Sequence, residues 1–183
     1  PSTAAADTIW QLETVDARGD VGQHTSLALD AADHPHISYH NATDGHLLYA
    51  HHDDAAWTTA TVDDAAGDAG LYTSLALNAA GRPRISYCRR VSIVFPRPHI
   101  VTYLQFAAWD SPGDWQLHTI EAVGEDGGHT SLALDADGRP HISYYEAATG
   151  ALKIATLDRS TWISETVDGH RVDVGQYTSL ALD

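Results

Sequence analysis

The chain has 183 residues, enough for one domain or a slice of one, and its 43% hydrophobic content can bury a core. With 25 acids against 10 Lys and Arg the formal net charge is −15, which excludes a nucleic-acid partner: a phosphate backbone is repelled, and the one basic cluster, Arg89, Arg90 and Arg97, is too small to reverse that. No run approaches the ~18 apolar residues of a membrane-spanning helix, and the single cysteine, Cys88, allows no intrachain disulfide.

Read in chain order, Pro1-Ser-Thr-Ala-Ala-Ala-Asp7 resembles a processed end and fits an exported protein. Trp10 to Asp16 follows as a predicted strand with no partner of its own. Thr25-Ser-Leu-Ala-Leu-Asp30 is the next strand, alternating large and small side chains with period two. It is the first copy of a phrase that returns at Thr73, Thr130 and Thr178, at spacings of 48, 57 and 48 residues. A glycine stands three positions before each Thr, at Gly22, Gly70, Gly127 and Gly175, and a Trp opens a segment in every unit, at Trp10, Trp57, Trp115 and Trp162. After the first three copies comes Pro-(His/Arg)-Ile-Ser-Tyr, ending at Tyr39, Tyr87 and Tyr144.

The third unit shows the pattern within a repeat. Ala136-Asp-Gly-Arg-Pro140 is a tight turn in which Gly supplies positive φ and Pro opens the next strand. His141-Ile-Ser-Tyr-Tyr145, Leu152-Lys-Ile-Ala-Thr156 and Trp162-Ile-Ser-Glu-Thr-Val167 are the second, third and fourth strands, rich in β-branched and aromatic residues. No segment carries a helical period. Four short strands in a recurring unit of this length are the signature of β-propeller blades. The expected fold is therefore all-β: a partial propeller over residues 1–183. Its three full blades span about 25–63, 73–121 and 130–168, with an orphan outer strand at the N-terminus and an orphan inner strand at 178–183. Three blades do not close a ring, which takes about four to eight, so other copies or the rest of the same propeller are the expected partners.

Val174-Gly-Gln-Tyr-Thr-Ser-Leu-Ala-Leu-Asp183 and Pro140-His-Ile-Ser-Tyr-Tyr145 resemble the tandem propeller repeats of bacterial and archaeal surface proteins, and the likeness covers nearly the whole chain. The resemblance implies a propeller and an extracellular or cell-surface location; it implies no activity.

Two features fall on the face where propellers usually meet ligands. An acid lies five residues before each repeated Thr, at Asp20, Asp68, Glu125 and Asp173. As a ring of carboxylates these could hold Ca²⁺; recurrence in every unit favours a structural role in the Gly-containing loops instead. The middle unit also carries about ten extra residues in or near Cys88–Val101, and insertions on repeat scaffolds map to loops that carry function. Arg89, Arg90, Phe95, Arg97 and His99 there, with Trp109 outside the Trp pattern, are the candidate ligand or contact residues; plainly longer strands are the alternative. His24 and His129 alternate with Tyr72 and Tyr177, which points to aromatic packing, and no metal-ligand spacing is present.

No nucleophile elbow, phosphate loop or isolated carboxylate pair stands out. The expected function is a non-catalytic binding or scaffold module, acting through its loop face or through assembly, without a cofactor. The alternatives are a glycan-active hydrolase or lyase with its site at the channel mouth, or a lectin; a glycan or a surface protein is the expected ligand.

Overall fold

The computed structural model describes residues 10–111, 113–169 and 173–183; the Pro1–Asp7 start lies outside them. Among the described residues every regular element is a strand, and twelve strands form three four-stranded antiparallel sheets in chain order. The first sheet is β1 (Val21–Leu29), β2 (Pro35–Asn41), β3 (His46–His52) and β4 (Trp57–Asp63). The second is β5 (Asp68–Leu77), β6 (Pro83–Ile93), β7 (His99–Ser111) and β8 (Asp114–Ala122). The third is β9 (Gly128–Leu134), β10 (Pro140–Glu146), β11 (Ala151–Asp158) and β12 (Thr161–Asp168). Each sheet is a simple meander, and consecutive sheets pack through their first strands, β1 on β5 and β5 on β9.

The first turn of each sheet shows why the repeated phrase ends in Asp or Asn. Asp30 Oδ1 accepts the backbone N–H groups of Ala32 and His34 at 2.8 and 2.9 Å. Asn78 does the same for Ala80 and Arg82, both at 3.0 Å, and Asp135 for Asp137 and Arg139, both at 2.9 Å. One short side chain closes the turn and satisfies two donors.

The sheets are joined by the same hydrogen bonds each time. The Ser of Thr-Ser-Leu accepts the Leu N–H of the next sheet: Ser26 from Leu75 at 2.9 Å and Ser74 from Leu132 at 3.0 Å. The Thr meets the Ser of the preceding Ile-Ser-Tyr: Thr73 with Ser38 at 2.6 Å and Thr130 with Ser86 at 2.8 Å. The Tyr then reaches back to a carboxylate at the end of the preceding sheet, Tyr87 to Asp63 at 2.7 Å and Tyr144 to Glu121 at 2.5 Å. Apolar layers fill the space between. Leu47, Tyr49 and Val62 of the first sheet pack with Leu75, Ile85 and Tyr87 of the second; Leu104, Phe106 and Val123 of the second pack with Leu132, Ile142 and Tyr144 of the third. Trp115 and Trp162 pack against these layers. Glycine is needed where the joint is tightest: at Gly70, with φ 97°, a Cβ would come within 3.1 Å of Leu47 Cα.

The two orphan segments differ from expectation. Neither Trp10–Asp16 nor Thr178–Asp183 forms a strand. A strand is defined by a ladder, and neither segment pairs in one among the described residues. Both segments nevertheless repeat the hydrogen bonds of the joints between sheets. Tyr39 donates to Asp16 at 2.9 Å, as Tyr87 does to Asp63; Leu180 N–H donates to Ser131 at 3.0 Å and Thr178 to Ser143 at 2.8 Å.

The middle unit's extra residues lengthen β6 and β7. The hairpin runs on through the pairs Arg89–Tyr103, Arg90–Thr102, Val91–Val101, Ser92–Ile100 and Ile93–His99. The alternative reading of longer strands describes the insertion, and only residues 94–98 form its tip.

Tyr87 and Asp63 are both buried. Burial, with the carboxylate beside it, pushes the Tyr87 hydroxyl well above its ordinary pKa, so it stays a donor. Removing that donor takes the tyrosine from the buried Asp63 Oδ2 and leaves the carboxylate with the Ala65 N–H on Oδ1 at 2.9 Å. Tyr87→Phe should cost about 2 kcal/mol of unfolding free energy in urea titration. Tyr39→Phe should cost less, because Asp16 keeps Arg18 as a partner at 3.1 Å.

Candidate functional site

Among the cavities of this scaffold, two lie at opposite ends of the strands. The first follows from the residue before each repeated Thr. His24, Tyr72, His129 and Tyr177 all adopt left-handed backbone, with φ of 53°, 53°, 53° and 54°. That conformation bulges the first strand, where the register of β1 and β5 slips, and turns the rings into one row. Neighbouring ring centroids are 4.9, 4.3 and 4.3 Å apart along His24–Tyr72–His129–Tyr177. With Thr25, Thr73, Thr130 and Thr178 the rings line a cavity of about 290 Å³. Burial holds the His24 and His129 imidazoles below the ordinary histidine value, and His40 and Arg90 press His24 further down.

The sequence candidates of the middle unit separate into two groups. Arg89 and Arg90 sit at the root of the long hairpin, and neither Nε has a hydrogen-bond partner although both atoms are buried. Phe95, at 85% exposure, and Arg97 lie at the tip, where the Arg97 carbonyl is 2.8 Å from His99 Nδ1. Trp109 is elsewhere: ten residues of strand separate it from His99, roughly 33 Å at 3.3 Å per residue. It is half-buried, stacked on Trp115 with centroids 6.1 Å apart and 6.4 Å from Tyr49. The six residues therefore do not form one site.

The four repeated acids are spread along the joints between sheets. Asp68 Oδ1 lies 3.6 Å from His40 Nε2, Tyr145 donates to Asp173 at 3.0 Å, and Gln23 donates to Asp20 at 3.1 Å. The Glu125 backbone carbonyl accepts from Thr102 at 2.7 Å. Among the described residues no three or more His, Cys, Asp or Glu side chains gather as a metal site. Asp68 thus faces the preceding sheet and Asp173 meets the third, Asp20 holds a side chain three residues on, and Glu125 takes part through its backbone.

The second site is a groove of about 720 Å³ between the second and third sheets, which sequence reasoning missed. Its lining comes from Arg84 on β6, Phe106, Ala108 and Asp110 on β7, Gln116 and His118 on β8, the turn Asp137–Pro140, and Leu157, Asp158 and Arg159. Strand register explains why it is open. At the equivalent place between the first two sheets stand Tyr49, His51 and Trp109, and Tyr49 fills the gap with Trp109 and with Trp115, 5.5 Å away. The positions matching Tyr49, His51 and Trp109 in the open groove are Phe106, Ala108 and Leu157. A smaller residue at each step leaves an apolar floor. The rim is polar and pre-arranged: Arg84 pairs with Asp110 at 2.6 Å and Arg139 with Asp137 at 3.0 Å, while Arg159 is held out on left-handed backbone at φ 58°.

No family model and no curated protein matches the chain. Among solved structures, a fucose lectin from Kordia zhangzhouensis in complex with methyl-fucoside superposes with a TM-score of 0.49 at 19% identity, covering 77% of this chain and 96% of that one. A structure from the GH130 family of mannoside phosphorylases, which contains glycoside hydrolases that target β-1,2 mannosidic linkages in Candida mannan, gives 0.47 at 15% identity. It covers 82% of this chain, and the match spans half of the other.

The depressed histidines set a pH dependence. His24, His36 and His129 all lie below 6.5 in the folded chain, chiefly through burial. The unfolded state then binds more protons below pH 6.5, so stability present at pH 7 is lost as the pH falls. His34, held up by Asp54 and Asp30, works in the opposite sense. The thermal midpoint should fall between pH 7 and 5, and His129→Asn, which tolerates left-handed backbone, should flatten that fall.

Proposed function

We propose that the chain is a run of consecutive blades of a β-propeller and serves as a non-catalytic carbohydrate-binding module, with a saccharide seated in the groove between the second and third sheets. One observation carries this reading: the groove pairs an apolar floor with a rim of planar polar groups already fixed by one another. Phe106 is buried at its base, with Ala108 and Leu157 beside it. A pyranose offers the complement, an apolar C–H face and a rim of hydroxyls. Carboxylates and guanidiniums locked in ion pairs lose little freedom on accepting and donating to neighbouring hydroxyls. Asp110 and Asp137 are exposed and each engaged by an arginine, unlike the apolar pockets that raise a general acid. That argues for binding without turnover.

The propeller reading rests on the repeated joint. Leu75 and Leu132 on the inner strands are 7% exposed, each covered by the preceding sheet, whereas Leu27 on the first sheet is 62% exposed and Leu29 56%. Covering a leucine side chain gains about 1.5–3 kcal/mol. A further sheet of the same repeat supplies the surface that fits, and a ring of such sheets closes without an edge. The surface location implied by the repeat resemblance suits a glycan-binding role.

A glycan array followed by calorimetry tests the assignment. Binding should appear for neutral saccharides with an apolar face, and Arg159→Ala should weaken it about tenfold, the loss of a charged hydrogen bond. Leu157→Trp should abolish binding without lowering the thermal midpoint, since the second sheet already carries Trp109 at the matching position. Binding unaltered by both changes, or no hit on a broad array, overturns the assignment.

A further inference from the structure

We infer that a second copy of this chain docks on the open faces of the first and third sheets. In that pair, β1 of each copy takes the seat that residues 174–183 hold on the third sheet of the other, and the two copies close one ring. The inference rests on the propeller reading and is independent of the saccharide groove.

The occupant is argued from the segment already in the seat. Val174-Gly-Gln-Tyr-Thr-Ser-Leu-Ala-Leu-Asp183 lies against the third sheet, with Leu180 N–H donating to Ser131 and Thr178 to Ser143. Val21-Gly-Gln-His-Thr-Ser-Leu-Ala-Leu-Asp30, which is β1 and the residue after it, differs only in having His24 where Tyr177 stands. Those two residues share the left-handed backbone, at φ 53° and 54°. What the third sheet accepts from 174–183 it therefore accepts from β1 of another copy. Among the described residues the segment makes no ladder, whereas β1 brings β2, β3 and β4 with it. The other end behaves alike. Trp10 and Glu13-Thr-Val-Asp16 repeat Trp162 and Glu165-Thr-Val-Asp168, so β12 of a second copy matches the segment that gives Tyr39 its Asp16.

The two faces are also the two halves of one apolar layer. Between the first and second sheets, Leu47, Tyr49 and Val62 meet Leu75, and all four are buried. The matching positions on the third sheet are Leu152, Ile154 and Val167, and Val167 is 60% exposed where Val62 is 6%. The match to Leu75 on the first sheet is the exposed Leu27. Glycine gives the sharpest sign. A Cβ on Gly70 would come within 3.1 Å of Leu47 Cα, and one on Gly175 within 2.8 Å of Leu152 Cα. Gly22 keeps the same backbone, at φ 90°, yet a Cβ there would meet nothing within 4 Å. It is shaped for a close approach that one copy does not make, and Leu152 of a second copy supplies it. Each copy carries both halves, so the contact made twice closes on itself. Three sheets from each copy fall within the about four to eight that close a propeller.

Light scattering of the whole chain over a concentration series tests this. The mass should rise from one copy to two and stop there. Leu27→Asp should raise the dissociation constant about a hundredfold, by placing a charge in the layer, with the thermal midpoint of the single copy unchanged. Leu180→Asp is the same change at the matching position of the chain's own segment. It loosens the competitor and should lower the dissociation constant about tenfold. One copy throughout the series, masses that climb past two, or the same response to both substitutions would overturn the inference. Saccharide binding by Leu27→Asp reads the groove alone, so binding retained by a chain that never pairs sinks the docking and leaves the groove standing. A dimer that scatters at small angles as an extended body, rather than a compact ring, overturns the docking and the propeller reading together.

Discussion

The rest of the structure depends on one constraint: a four-stranded sheet in this chain cannot bury its faces alone, and a Thr-Ser pair ties it to the next sheet at the narrow end. The serine takes the next sheet's leucine N–H, and the threonine takes the preceding sheet's serine hydroxyl. Small side chains are required there because the first strands approach closely, and hydroxyls are required because the approach would otherwise strand polar atoms away from water. The leucines, which alternate with these small residues, then fill the space behind. A single hexapeptide thus specifies spacing, polarity and packing at once, which is why it recurs almost unchanged while the outer strands drift.

That division of labour explains where the two sites fall. The joint consumes the serines, threonines and tyrosines of the first two strands of each sheet, and the outer halves of the sheets need only stay apolar. Between the first and second sheets the outer space is filled by Tyr49, His51 and Trp109; between the second and third, Phe106, Ala108 and Leu157 leave it open. The bulged residue before each Thr is the other free position. Its backbone serves the joint, and its ring packs on the rings of the neighbouring units, Tyr72 also against the layer between the second and third sheets.

Much of the fold was legible in the sequence because its determinants are local and repeated: the alternation in Thr25–Leu29, the Asp or Asn closing each first turn, the Pro that opens each second strand. Three sheets of four strands follow from counting such segments. The orphan segments were legible as sequence and not as structure, because strand character is a property of a pair and neither segment has a ladder partner among the described residues. The groove was invisible for a different reason. Its opening depends on which residues of β3, β7 and β11 share a register position, and the hairpin insertion shifts the middle unit by about ten residues against the others. His51, Ala108 and Thr156 align only once the ladders His36–His51, Arg84–Ala108 and His141–Thr156 are known. Trp109 breaks the Trp spacing, and register sets it half-buried beside Trp115 and on a small cavity with Arg82 and Asp110.

The histidines and tyrosines of the row could have been singled out from the sequence had backbone conformation been inferred together with residue type. A residue between a Gly two positions earlier and a repeated Thr sits in a strand that must bulge to bring the Thr to its hydroxyl partner, and a bulge forces one residue out of the extended region. Finding an aromatic there in every unit, where glycine fits the backbone better, is a local conflict between residue and conformation. Such conflicts cost stability, and here the rings offset part of it by packing on one another across the joints. Cys88 makes the contrast. It is equally singular in the sequence, but it is fully buried in the layer between the second and third sheets and its thiol is pushed up to about 12 by that burial, so it is a packing residue with no chemistry to offer. Rarity draws attention to a residue; a mismatch between the residue and its backbone is the more discriminating sign of use.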